Sequence, residues 1–290
     1  MPIFSYERSP LGQLTESSSI CTMSSLDRLH VVLVSPRNPL NIGAAARAMA
    51  NFGFRQLSVV APYEEHWREA KSAVGASDLL ENAKHVEHLA EAVADCTLVI
   101  GTGTLAHRKP EQPVIPLPEL TPCVDAEFAR GGRVALVFGS EKRGLTREDL
   151  ALCHMLVEIP TDPHQPSMNL GQAVAVCLYE LAARRKTDVH FRDKNEEVAR
   201  TVHPDPAEDG AAPAFTRDPA CARDLELLAA VVAETMQAAS YSPAAMQKAN
   251  RHDLDLLLRR LALTRSDARR ILGLFRRILW RLKRQIGLKD

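Results

Sequence analysis

The segment Val134-Ala-Leu-Val-Phe138-Gly139-Ser140-Glu141-Lys142-Arg143-Gly144-Leu145-Thr146-Arg147-Glu148-Asp149 decides the fold. Its five unbroken apolar residues mark a short strand buried on both faces, the habit of a parallel sheet. Glycines at 139 and 144 punctuate a turn, and Thr146-x-x-Asp149 is a capping box opening a helix predicted over Arg147–Cys153. The same alternation of strand and helix recurs on either side. Strands are predicted at His30–Ser35, Gln56–Ala61, Thr97–Gly101 and Leu156–Ile159, with helices at Ile42–Asn51, stopped by Gly53, and at Leu170–Arg185. Leu29–Arg185 therefore reads as an α/β domain, a parallel sheet with helices on both faces.

Composition narrows the class further. The 290 residues are 46% hydrophobic and 25% charged, a globular balance that excludes wholesale disorder, a collagen-like chain and a small disulfide scaffold. Six cysteines (Cys21, Cys96, Cys123, Cys153, Cys177, Cys221) stand singly, and the pair His85 and His88 has no third ligand nearby, so neither a disulfide nor a metal is expected. No apolar run reaches the ~18 residues of a membrane span, and Met1–Ser25 lacks a signal-peptide pattern; no membrane association and a cytoplasmic location are expected.

Outside the α/β unit the chain changes character. Seven serines and two prolines stud the first 25 residues, which read as a disordered tail over 1–27; Met23 is a candidate start, with an ordinary extension as the alternative. Asp193–Asp218 holds seven acids against three bases, with prolines at 204, 206 and 213. It lies within a linker predicted over 188–219, between the domain at 28–187 and a helical region at 220–290. The equal totals of 36 basic and 36 acidic residues hide an asymmetry: Arg251–Asp290 carries twelve Lys and Arg against four Asp, an excess of eight positive charges. In its last helix, capped by Thr264 and Asp267, Ala268, Ile271, Leu272, Phe275, Ile278, Leu279, Leu282 and Ile286 recur at helical spacing and Trp280 is expected to pack. The basic face suits RNA phosphates or is merely solvated, with a membrane-surface helix as a third reading.

Gly101-Thr-Gly103-Thr-Leu-Ala106 follows a strand and superficially matches a dinucleotide fingerprint. Pro110 and Pro113 follow instead of a helix, and no acid-tipped strand comes ~20 residues later, so the glycines indicate a ligand but not NAD. Three other segments fall at strand ends on the same side of the sheet, where open α/β sheets bind ligands. They are Asn41-Ile-Gly43-Ala-Ala-Ala-Arg47 after an extended loop, the turn Phe138–Thr146, and Ile159-Pro-Thr-Asp-Pro-His-Gln-Pro166-Ser167-Met168-Asn169-Leu170.

In this order and spacing the three segments resemble the motifs of the SpoU branch of the SPOUT RNA methyltransferases, N-x-G-x-x-x-R, an FGxExxGL-type turn and an S-x-N-L-type loop. The likeness covers roughly Leu29–Arg185. With Gly75-Ala-Ser-Asp78 and the linked helical region, it is similar to the tRNA-modifying members of that branch. The resemblance implies a trefoil knot at the end of the α/β domain, S-adenosyl-L-methionine held bent within it, a homodimer, and 2′-O-methylation of a tRNA ribose, the pyrimidine at nucleotide 32. A ribosomal RNA methyltransferase and a non-catalytic RNA-binding relative remain as alternatives.

Carried onto this sequence, the resemblance implies that Thr102, Gly103, Thr104, Gly139, Ile159, Pro166, Ser167, Met168 and Leu170 line the cofactor pocket. Arg47, Asn41, Glu141, Ser167 and Asn169 would face the ribose as the catalytic set. A guanidinium with a pKa of ~12.5 or above is a poor base, so Arg47 is better suited to clamp a phosphate and favour the forming alkoxide. Each residue has a plainer reading: a surface ion pair for Arg47, pairing with Lys142, Arg143 or a helix end for Glu141, and helix capping for Asn41 and Asn169.

Overall fold

A computed structural model describes residues 25–103, 110–183 and 218–286. Residues 1–24 of the expected tail, Met23 among them, Thr104, and 188–217 of the expected linker lie outside the described residues.

Seven parallel strands form one sheet: β1 (Leu29–Val34), β2 (Gln56–Val60), β3 (Lys84–Val86), β4 (Leu98–Thr102), β5 (Val114–Pro116), β6 (Val134–Phe138) and β7 (Met155–Glu158), in the order β3-β2-β1-β6-β4-β7-β5. The strands read from sequence are β1, β2, β4, β6 and β7. The two missed are the edges, three residues each, too short to show a period of two. The central strands are buried along their whole length and alternate between two apolar layers. Leu29, Val31 and Leu33 enter one layer with Ile42, Ala45 and Met49; Val32 and Val34 enter the other with Leu89, Val93 and Leu145. Each Val, Leu, Ile or Met side chain among them taken fully out of water contributes roughly 1.5–3 kcal/mol.

Helix α1 (Pro39–Phe52) begins three residues before the sequence reading placed it. Asn38 is the cap, its side chain accepting from Leu40 N at 2.9 Å, and Pro39 occupies the first helical position. Proline fits there because its fixed φ is already helical and the position needs no N–H donor. Asn41 therefore lies inside the first turn and is not a cap. Gly53, at φ 83°, ends the helix as expected. Short helices α2 (Ser77–Glu81) and α3 (Leu89–Ala92) follow, then α4 (Leu120–Ala129) and α5 (Arg147–Ala151), the last with both capping-box bonds formed. Helix α6 is described over 170–183.

The C-terminal region is a three-helix unit, α7 (Ala222–Ala238), α8 (Gln247–Arg260) and α9 (Arg265–Ile286). Leu228, Ala229, Val232 and Leu258 form its core, with Ile271, Leu272 and Phe275 of α9 packed on them. The unit is seated on the sheet domain. Ala222 joins the second apolar layer, the N–H groups of Ala222 and Arg223 donate to the carbonyls of Cys96 and Ala94 at 2.8 and 2.9 Å, and Lys248 pairs with Glu148 at 2.9 Å. At this seam Val99 N donates to His154 Nδ1 at 3.0 Å, which leaves the ring proton on Nε2. Burial, and after it the Arg259 charge, pushes His154 down to about 3, so the ring is neutral.

The basic surface is smaller than the sequence count. Arg259 is 5% exposed, Arg251 binds Glu226 and Asp255, Arg265 faces Asp218 and Asp224, and Lys283 pairs with Glu234. Burial raises the Asp255 carboxyl against the pull of Arg251. The exposed cations of α9 with no carboxylate partner among the described residues are Arg269, Arg276, Arg277, Arg281 and Arg284, while Arg270 lies 3.8 Å from Asp267. Trp280 does not pack as expected: it is 58% exposed, with the Arg284 guanidinium 5.3 Å from its ring. It sits one position round the helix from Leu279, which is the residue that turns inward.

Candidate active site

The carboxyl ends of β6, β4 and β7 are adjacent in the sheet, so three loops far apart in sequence open at one place. They enclose a cleft of about 250 Å³, just under the range for ligand pockets, ~300–1,000 Å³. Thr102 and Gly103 reach it from β4, Phe138–Leu145 from β6, and Ile159, Thr161, Pro166, Ser167, Met168, Leu170 and Ala173 from the segment leading into α6.

The turn after β6 closes on itself tightly. A Cβ on Gly139 would lie 2.2 Å from both Gly144 C and Leu145 N, and Gly144 adopts φ 65°, so two glycines are needed for the backbone to fold back at this point. The missing side chain at 139 thus makes room for the turn's own backbone rather than directly for a ligand. Across the cleft, the Thr161 hydroxyl donates to Pro166 O at 3.1 Å and His164 N donates to Asp162 Oδ1 at 2.8 Å, giving the proline-rich loop a definite shape. Thr102 is committed inward, donating to Val137 O at 3.0 Å. The Ser167 hydroxyl makes no hydrogen bond among the described residues and faces the cleft.

A chain of hydrogen bonds ties the three segments together at the rim. Glu141 Oε1 accepts from Asn41 Nδ2 at 2.8 Å and Asn38 N at 3.2 Å, while Oε2 accepts from Arg37 N at 2.9 Å. Asn41 Oδ1 in turn accepts from Asn169 Nδ2 at 2.9 Å, and Asn169 Oδ1 accepts from Gly171 N at 3.0 Å, capping α6. Burial works to raise the Glu141 carboxyl. The donors outweigh it, the Asn41 side chain first and then the backbone N–H groups of Arg37, Glu141 and Asn38, and hold it below the usual carboxylate value. Two glycines let the frame close: a Cβ on Gly43 would strike Ser72 Oγ at 2.2 Å, and one on Gly171 would meet Ala44 Cβ at 2.7 Å.

The expected cofactor residues Thr102, Gly103, Gly139, Ile159, Pro166, Ser167, Met168 and Leu170 line the cleft, as does Glu141; Thr104 lies outside the described residues. Asn41 and Asn169 stand behind the rim, joined to Glu141 through Asn41. Arg47 is apart from them: it is exposed on α1, does not line the cleft, and makes no hydrogen bond or ion pair among the described residues. Phe138, Ser140, Lys142, Arg143, Gly144, Leu145, Thr161 and Ala173 also line the cleft and were not singled out. Most belong to the quoted motifs, where a residue's type did not say which way it would face.

The model of the SpoU rRNA Methylase family matches residues 28–179. The chain belongs to this family. It is 44% identical over 157 residues, 54% of this chain and 61% of the relative, to the tRNA (cytidine/uridine/adenosine-2′-O-)-methyltransferase TrmJ of Pseudomonas aeruginosa. Over 176 residues, 58% of this chain and 75% of the relative, it is 35% identical to the tRNA (cytidine-2′-O-)-methyltransferase TrmJ of Methanocaldococcus jannaschii. The match thus spans about three fifths of the Pseudomonas relative's length. The crystal structure of TrmJ from Z. mobilis superimposes with a TM-score of 0.69 at 26% identity, covering 86% of this chain and 98% of that one. That likeness extends beyond the family-matched residues.

Proposed function

We propose that this chain is an S-adenosyl-L-methionine-dependent 2′-O-methyltransferase of tRNA that works as a homodimer in the cytoplasm, its domains divided as the sequence suggests. The observation that carries the reading is the Glu141–Asn41–Asn169 network, which locks the three family motifs around one cleft at the sheet's carboxyl edge. Within it, Ile159, Met168 and Leu170 offer an apolar wall to an adenosine, and the tight turn at 139–145 offers backbone donors and acceptors. Bound there, S-adenosyl-L-methionine supplies an electrophilic methyl group on a cationic sulfur. Passage of the 159–170 segment through the loop that follows β6, as a trefoil knot, belongs to the same proposal.

The chain's own residues then divide the work. Glu141, fully engaged by donors from the α1 loop and held below the usual carboxylate value, is a poor proton acceptor and serves to position Asn41 and the loop around it. Ser167, with a free hydroxyl at the cleft, orients the ribose. Arg47 does not line the cleft of its own subunit. In a dimer built through α1 and α6, where Leu40 and Tyr179 are 53% and 59% exposed, it would reach the partner's. There it clamps the phosphate beside the target and, keeping its own proton, favours charge developing on O2′, whose proton passes to solvent water as O2′ takes the methyl.

Mapping ribose methylation in RNA from cells with and without the gene tests the function. The expected result is one 2′-O-methyl group lost from tRNA, at the pyrimidine of nucleotide 32; the relatives' names differ in the bases they cover, so base preference is read from the same map. A loss confined to ribosomal RNA would move the substrate, and a protein that binds no S-adenosyl-L-methionine would be a non-catalytic relative.

The α9 cations carry a separate part of the proposal, that this face holds tRNA phosphates. Reversing Arg276, Arg277 and Arg281 to glutamate should weaken tRNA binding and flatten the plot of log affinity against log salt, since each neutralised phosphate contributes to that slope, by about −0.9 on duplex DNA and about −0.7 on single strands. Cofactor binding should stay intact. Equal affinity and slope would show the face to be merely solvated.

A further inference from the structure

Two loops leave the sheet beside the rim of the cleft, after β1 and β2. Each is turned by a non-glycine residue in the left-handed region, Ser35 at φ 47° and Ala61 at φ 40°, a conformation that persists where surrounding contacts hold it. Here Ser35 N donates to Val60 O at 2.8 Å and Tyr63 N to Pro36 O at 3.1 Å, binding the loops to one another. The result is a stack: the Arg37 guanidinium lies 4.8 Å from the centre of the Tyr63 ring. The stack is anchored to the cleft, because Arg37 N is one of the donors to Glu141.

An exposed tyrosine alone is unremarkable. This one is 67% exposed while one of its faces is already covered by a cation, and the Arg37 guanidinium has no carboxylate partner among the described residues. Neither side chain supports the core: the loops are held by backbone bonds. What the pair presents is a flat, cation-backed aromatic surface at the mouth of the site. Exposed Glu64 and Glu65 follow in the chain and disfavour a phosphate, so the surface suits the neutral face of a base.

We propose that Arg37 and Tyr63 form a stacking platform for an unpaired base of the RNA substrate, next to the nucleotide whose ribose is methylated. The inference rests on the tRNA-methyltransferase reading and adds to it the element that grips a splayed base. Loops of RNA are recognised in this way, by unstacked bases laid on aromatic rings and guanidinium planes, and removal of one such aromatic typically weakens binding roughly 5- to 150-fold per base.

Steady-state methylation of tRNA by the full chain and by Tyr63→Ala and Tyr63→Trp tests the idea, alongside calorimetric binding of S-adenosyl-L-methionine. Tyr63→Ala should raise KM for tRNA roughly tenfold, with kcat at saturating RNA within about twofold of wild type and cofactor affinity unchanged. Tyr63→Trp should restore KM. On anticodon stem-loops made abasic at one position at a time, the penalty of Tyr63→Ala should vanish at the stacked position only. An unchanged KM, a joint loss of kcat and cofactor affinity, or a penalty that persists on every abasic substrate would overturn the platform. A wild-type protein that neither binds nor methylates RNA would overturn the underlying reading, and the platform with it.

Discussion

Arg47→Ala is expected to lower the rate of methyl transfer by about 10²–10³-fold, the usual cost of removing one donor that stabilises developing charge. Affinity for S-adenosyl-L-methionine should be unchanged, because Arg47 does not line the cleft of its own subunit. Stability should move by less than about 0.5 kcal/mol: the side chain is exposed on the middle of α1 and makes no hydrogen bond or ion pair among the described residues. Turnover assays with calorimetric titration separate these effects. Mixing Arg47→Ala with a second variant unable to bind cofactor adds the sharper test, since a shared site predicts that mixed dimers regain one working cleft. Turnover near that of wild type in the single variant would remove Arg47 from the reaction, and sedimentation showing only monomer would remove the shared site.

Gly139→Val should abolish measurable cofactor binding. Any side chain at 139 must displace Gly144 and Leu145, whose backbone atoms lie 2.2 Å from where its Cβ would be. Both displaced residues wall the cleft, and the Glu141 bridge to α1 springs from the same turn. The expected loss is at least 100-fold in affinity, accompanied by a lower melting temperature as the turn is forced open. Gly103→Ala provides the contrast. A Cβ there meets nothing within 4 Å and needs no positive φ, so the fold should be kept and any change in affinity comes from the cleft itself. Wild-type binding by Gly139→Val would mean that the cofactor sits elsewhere.

Glycine 139 shows how far residue type alone reaches. Its place in a strand–turn–helix unit marked a turn and the family resemblance put it in the cofactor pocket, but a side chain there would meet first the turn's own far side. Asn41 and Asn169 make the same point from another direction. Both suited a helix cap, and Asn169 is one, but the cap of α1 is Asn38 and Asn41 spends its side chain on a bond in each direction. Pro39, just before Asn41, suits the end of an extended loop and the first position of a helix equally well, because its fixed φ is already helical. For Glu141, a helix end was among the expected partners, but not which one: its carboxylate accepts from Arg37 N, Asn38 N and Asn41 Nδ2 at the start of α1, 100 to 104 positions away.

What the sequence by itself determined is what depends on neighbours along the chain. Unbroken apolar runs at Val31–Val34 and Val134–Phe138, glycines that stop helices, and the Thr146-x-x-Asp149 box each express a local rule, and together they define a parallel sheet with helices on both faces. The composition of the three strand-end segments, read as a set, was enough to indicate the family. Tertiary structure decided the rest: the order in which strands lie side by side, the edges β3 and β5, the seating of α7 and α8 on the sheet domain, and the pairing of Arg37 with Tyr63. These contacts join residues tens to more than a hundred positions apart. No local periodicity records such a partner, because a donor or an apolar face is satisfied equally well by any acceptor or surface that the packed fold brings within reach.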